Sequence, residues 1–84
     1  MKRRCFEKYE SWLIKVYVRK KSRDLHDCWY CPVKIQPDQP YIEVRRADGV
    51  VERYHVDCFN RVYRGTSLRL VAVNAPRGVV LCEA

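Results

Sequence analysis

The chain has 84 residues, 17 Lys+Arg against 10 Asp+Glu, and 48% apolar residues. That length is enough for one small domain over 1–84 and excludes a two-domain enzyme or a large cofactor fold, while 12% aromatic content argues against wholesale disorder. No run nears the ~18 apolar residues that span a bilayer, and charge rather than an apolar stretch follows Met1, so neither a membrane protein nor a secreted one is expected.

The first segment carries the whole charge excess. Residues 1–23 hold nine basic side chains (Lys2, Arg3, Arg4, Lys8, Lys15, Arg19, Lys20, Lys21 and Arg23) and two acids, Glu7 and Glu10, whereas the remainder is balanced. Such asymmetry suits a polyanionic partner, with a solubilising segment as the plain alternative. Two periodicities compete in this segment. Phe6, Tyr9, Leu13, Val16 and Tyr17 fit helical spacing, while Ile14, Val16 and Val18 alternate with Lys15, Tyr17 and Arg19 as in a strand. Early acids and late bases suit a helix dipole, which favours a helix over 4–18.

Residues 19–27 read as a polar linker, and 36–40 (QPDQP) as a loop fixed by two prolines. Two alternating runs, 41–46 and 50–54, flank Asp48-Gly49 and predict a β-hairpin. Residues 55–65 then suit a short helix, with Asp57 capping its first turn and Gly65 following its end. Leu68 to Val73 and Val79 to Cys82, separated by Asn-Ala-Pro-Arg-Gly, predict a second hairpin.

The chemistry lies in Cys28-x-x-Cys31 and, 23 residues later, His55-x-x-Cys58. Two pairs of soft or borderline donors match a closed Cys3His zinc site. A Cys-x-x-Cys turn lets two sulfurs reach one ion, and a spacing of three on a helix faces His55 and Cys58 the same way. The competing readings are a redox Cys-x-x-Cys, which normally opens a helix where this chain has Pro32, and an iron–sulfur centre, which usually takes four cysteines. Disulfides sit poorly with an odd cysteine count and with the intracellular, reducing setting (cytoplasmic or nuclear) expected for this chain. His26 is a rival ligand or a neighbour of the site. Cys5 and Cys82 each read as buried apolar thiols; a bridge between them is left open. Four protein donors leave a tetrahedral ion no place for water, so metal catalysis is not expected, and no nucleophile–base pair or glycine-rich phosphate loop suggests another enzyme.

The expected fold is therefore a small α+β, zinc-stabilised domain. A treble-clef-like finger of knuckle, hairpin and short helix spans 25–64, after the basic helical segment 1–23 and before a β-hairpin over 66–84. Cys28-x-x-Cys31 with Tyr54-His55-x-x-Cys58-Phe59 resembles the poly(ADP-ribose) polymerase-type zinc finger, over under half of the chain. The resemblance implies one structural zinc ion, a grip on DNA backbone through arginines, and apolar contact with exposed bases. The gap between the ligand pairs is shorter here than is usual in that family.

The functional expectation is a non-enzymatic, zinc-dependent nucleic-acid-binding protein, with DNA as the leading partner. Lys15, Arg19, Lys20, Lys21 and Arg23 would meet phosphates, as would Arg45, Arg46 and Arg53 beside the hairpin. Trp29 and Tyr30 would stack on a base or shield the metal. The alternative is a zinc-stabilised adaptor that presents hairpin edges to a protein partner or to a second copy.

Overall fold

The computed structural model describes residues 4–63, 66 and 68–83. In the N-terminal segment the period-two pattern prevails. Strand β3 (Ile14–Arg19) pairs along its whole length with β4 (Tyr41–Arg46), setting Val16 opposite Val44 and Val18 opposite Ile42. Burying Ile14, Val16 and Val18 on one side of a six-residue ladder suits their branched side chains better than a helix does. The helix expected over 4–18 is accordingly replaced by β1 (Cys5–Phe6), β2 (Lys8–Glu10) and β3. Ser11 makes the β2–β3 turn. Its hydroxyl accepts the amides of Leu13 and Ile14 at 3.3 and 3.2 Å, and its own amide donates to the Ile14 carbonyl at 2.9 Å. Trp12 and Leu13 stand exposed at the turn rather than in a helix interface.

The β4–β5 hairpin closes onto β5 (Val51–His55) through Ala47, Asp48, Gly49 and Val50. The Arg46 carbonyl accepts the Gly49 amide, the Arg46 amide donates to Val50, and Gly49 has φ 91°, which only glycine adopts without strain. Helix α1 (Val56–Tyr63) follows directly, with Asp57 inside its first turn and Arg61 in its last. Gly65, expected after its end, lies outside the described residues. Strands β6 (Leu70–Ala75) and β7 (Gly78–Glu83) then pair antiparallel.

The strands form two antiparallel sheets, ordered β2-β3-β4-β5 and β1-β7-β6. This overturns the expected α+β, treble-clef-like class: the described chain is mostly strand, with one short helix. The sheets and α1 share one core, built from Val16, Ile42, Val44 and Tyr54 of the larger sheet, Phe59 of the helix, and Leu70, Ala72, Val79 and Leu81 of the smaller. The chain bends at Glu7 to pass from one sheet to the other. Cys5 and Cys82, direct partners across β1 and β7, are joined in a disulfide, which corrects the reading of both as free buried thiols. No helix among the described residues is long and apolar enough to cross a membrane.

Antiparallel partners share a face of the sheet. One face of the larger sheet therefore carries Tyr9, Val16, Ile42, Val44 and Tyr54 into the core, and the other carries Lys8, Lys15, Tyr17, Arg19, Glu43, Arg45 and Arg53 outward.

Besides the packing of Phe59, one side chain hydrogen-bonds helix α1 to β6. Asn60 Nδ2 donates to the Ala72 carbonyl at 2.8 Å, and Asn60 Oδ1 accepts the Ala72 amide at 2.6 Å. The side-chain amide thus completes the ladder of an edge strand. Asn60→Ala leaves both Ala72 groups without their partner and is expected to cost about 1–3 kcal/mol, read as a lower urea midpoint with an unchanged m value.

Candidate metal centre

Residues 20–40 leave the larger sheet and return to it with little regular structure. His26 and Ile35 exchange both backbone hydrogen bonds, at 3.1 and 2.7 Å, the Ser22 amide donates to the Gln39 carbonyl at 3.1 Å, and Ile35 is fully buried. Cys28 and Cys31 lie at the tip of this excursion. The tip is held to the sheet edge where the Trp29 amide donates to the Arg53 carbonyl of β5 at 2.7 Å. His55 is the last residue of β5 and Cys58 sits in the first turn of α1, so the strand–helix junction delivers the second pair.

The ligand atoms of Cys28, Cys31, His55 and Cys58 all lie within 4.8 Å of one another. His55 Nδ1 is 3.3 Å from Cys31 Sγ and 3.8 Å from Cys58 Sγ. On the far side of the ring, Nε2 is 3.3 Å from the Lys34 carbonyl. A carbonyl only accepts, so it fixes the proton on Nε2 and leaves the Nδ1 lone pair facing the sulfurs. Lys34 was not legible as a contributor, because a backbone carbonyl has no side-chain signature.

The thiols are unequal. Burial is the largest influence on Cys28 and raises its pKa, but the backbone amides of Cys31, His55 and Tyr30, together with the His55 side chain, bring it down to about 6. Cys58 is pushed up to about 12, first by burial and then by hydrogen bonds and charge from Cys31 and Cys28. One thiolate is welcome in this cluster and further ones repel each other. A cation at the centre removes that repulsion, so the arrangement suits a Cys3His metal site with all donors supplied by the protein. His26 is not part of it; its ring lies 5.5 Å from that of Tyr41.

The basic residues singled out from sequence are placed differently from one another. Lys15, Arg19, Arg45 and Arg53 share the outer sheet face. Lys20, Lys21 and Arg23 are exposed on the excursion beyond β3. Arg46 is on the opposite register and is engaged by Glu52 at 3.3 Å and Asp48 at 2.7 Å. Trp29 and Tyr30 are exposed at the knuckle, 57% and 54%, rather than packed over the thiols. Lys8, Trp12, Tyr17 and Glu43 were not among the candidates named from sequence. The alternation Lys15-x-Tyr17-x-Arg19 held the signal for Tyr17 and was set aside with the strand reading.

Glu43 organises this face. It is 4% exposed, accepts Arg19 Nη2 at 2.9 Å and Arg45 Nε at 3.0 Å, and lies 3.8 Å from Arg53 Nε. Burial, the largest influence, raises its pKa, but the hydrogen bonds and charges of Arg19 and Arg45 outweigh it and hold the carboxyl below its usual range. Compared with protein-family models, curated proteins and solved structures, the chain matches none of them.

Proposed function

We propose that the protein holds one structural zinc ion and binds nucleic acid through the outer face of its larger sheet. Zinc suits the donor set. Bonds of ~2.3 Å to sulfur and ~2.0–2.1 Å to nitrogen, arranged tetrahedrally, separate sulfur from nitrogen by about 3.6 Å. The two observed separations, 3.3 and 3.8 Å, bracket that value. Cys28, Cys31, His55 and Cys58 would hold the ion, which would supply cross-linking rather than chemistry, since four protein donors close the tetrahedron. The order of the donors, with Tyr54 before His55 and Phe59 after Cys58, is similar to that of the poly(ADP-ribose) polymerase-type finger.

One observation carries the nucleic-acid reading. Lys8, Lys15, Arg19, Arg45 and Arg53 project from four adjacent strands against only Glu10 and Glu43, and Lys15 lies directly opposite Arg45. Like charges directly opposed across a ladder destabilise it. Glu10, the other neighbour of Lys15, is within 3.6 Å of the Lys8 ammonium. A polyanion relieves this crowding, and DNA is the leading candidate.

The test is binding of fluorescent DNA across a salt series. With five cations each meeting one phosphate, log Kd against log salt has a slope of about 4.5 on duplex and about 3.5 on a single strand. A flat response contradicts the reading and leaves an adaptor role in its place.

A further inference from the structure

Resting on the nucleic-acid reading, we infer that the outer face of the larger sheet is a stacking platform for single-stranded nucleic acid, with Tyr17 at its centre and Trp12 at its rim as base-stacking residues. Tyr17 lies mid-strand on β3, half-buried, with Lys8 of β2 and Glu43 of β4 as its cross-strand partners. The Arg19 guanidinium lies 4.9 Å from the centre of its ring and that of Arg45 lies 5.6 Å away. Both guanidinium groups lie over the ring, so a base stacks on the outward plane of a guanidinium that Tyr17 backs, beside cations for the adjoining phosphates.

Trp12 extends the surface. It is 86% exposed on the β2–β3 turn, and with Lys15, Tyr17, Arg45 and Arg46 it lines a shallow groove of about 260 Å³. A tryptophan this exposed adds little to the core. Placed at the end of a basic, aromatic groove, it has the chemistry of a second stacking position.

The form of the surface favours a single strand over a duplex. Four strands spaced ~4.8 Å apart make a face about 14 Å across before side chains are counted. That is wider than the ~12 Å major groove, which admits a helix or a two-stranded ribbon, and far wider than the ~6 Å minor groove. No base edge in a duplex can meet Tyr17, whereas unpaired bases expose their faces to it.

Glu43 makes the platform ready-made. A single carboxylate lies against three arginines, so it fixes the guanidinium groups of Arg19 and Arg45 while leaving the patch positive. Ordering these long side chains before binding lowers the entropic cost of binding.

The experiment is fluorescence anisotropy with the full, zinc-loaded chain and three probes of equal length: oligo-dT, oligo-U and a DNA duplex. The two single strands are expected to bind at least tenfold more tightly than the duplex, and their ranking separates DNA from RNA as the ligand. Tyr17→Ala is expected to weaken single-strand binding about 5- to 150-fold, the range one stacked base contributes. Tyr17→Phe restores it, and duplex binding is unchanged in both. Trp12→Ala keeps the test independent of folding, since that side chain is exposed, and a loss of at least fivefold is expected. If Tyr17→Ala and Trp12→Ala leave single-strand binding intact while Lys15→Ala weakens it, the platform is refuted and charge-driven binding stands. If no probe binds but an acidic peptide does, both this inference and the nucleic-acid reading fall.

Discussion

Stripping the metal is expected to release the 20–40 excursion and to lower the melting temperature by more than 15 °C. The reasoning starts from how little else holds that segment. It contributes one fully buried apolar side chain, Ile35, the bridge between His26 and Ile35, and a few further backbone hydrogen bonds such as Ser22 to Gln39 and Trp29 to Arg53. Chain entropy alone costs roughly 1–2 kcal/mol per ordered residue, far more than those contacts supply over some twenty residues. Structural zinc contributes an apparent ~10–16 kcal/mol in small finger peptides at neutral pH. A loss of even about 4 kcal/mol lowers the midpoint of a domain this size by about 16–30 °C.

The two sheets have their own core, so the loss is graded. Amide exchange after chelation should accelerate first at Trp29, whose amide reaches Arg53, and at His26 and Ile35. The Val16 and Val44 amides, in the centre of the larger sheet, should stay protected longer. Cys58→Ala is expected to reproduce the chelated state without chelator, because it removes the donor on α1. A variant that retains the wild-type melting curve and full metal content contradicts the assignment.

Breaking the Cys5–Cys82 bridge is expected to cost about 4–5 kcal/mol while leaving the metal in place. The bridge joins β1 to β7 across a sequence separation of 77. In the loop-closure account, a cross-link of that span removes about 4.5 kcal/mol of entropy from the unfolded chain. Cys5→Ser is the suitable variant, because Cys5 is exposed and Cys82 is buried, so the new hydroxyl reaches water. Calorimetry should show a midpoint lower by about 16–40 °C with zinc content unchanged. Thiol titration of the denatured, metal-free wild type should return the three free cysteines, Cys28, Cys31 and Cys58. A titration of five, or a Cys5→Ser shift under about 3 °C, contradicts the bridge.

The sequence made the candidate metal donors visible because their pattern is local. Each pair is set by a spacing of three, and the Asp48-Gly49 turn announces the hairpin that brings the pairs together. The odd cysteine count has a simple resolution, three in the candidate metal cluster and two in the bridge. The bridge itself was not legible, because it depends on β1 pairing with β7 from the other end of the chain. The same holds for residues 4–18. Their apolar positions satisfy both periods, and the choice was made by β4, more than twenty residues away, which supplies Ile42 and Val44 to meet Val18 and Val16. Once β3 is a strand, Lys15, Tyr17 and Arg19 share a face, and the platform follows from that one decision.

X-ray absorption at the zinc edge of the purified chain addresses the metal centre most directly. The account predicts one zinc per chain with three sulfurs at ~2.3 Å and one nitrogen at ~2.0–2.1 Å. Zinc well below one equivalent in a folded protein, or a shell dominated by oxygen, would contradict it.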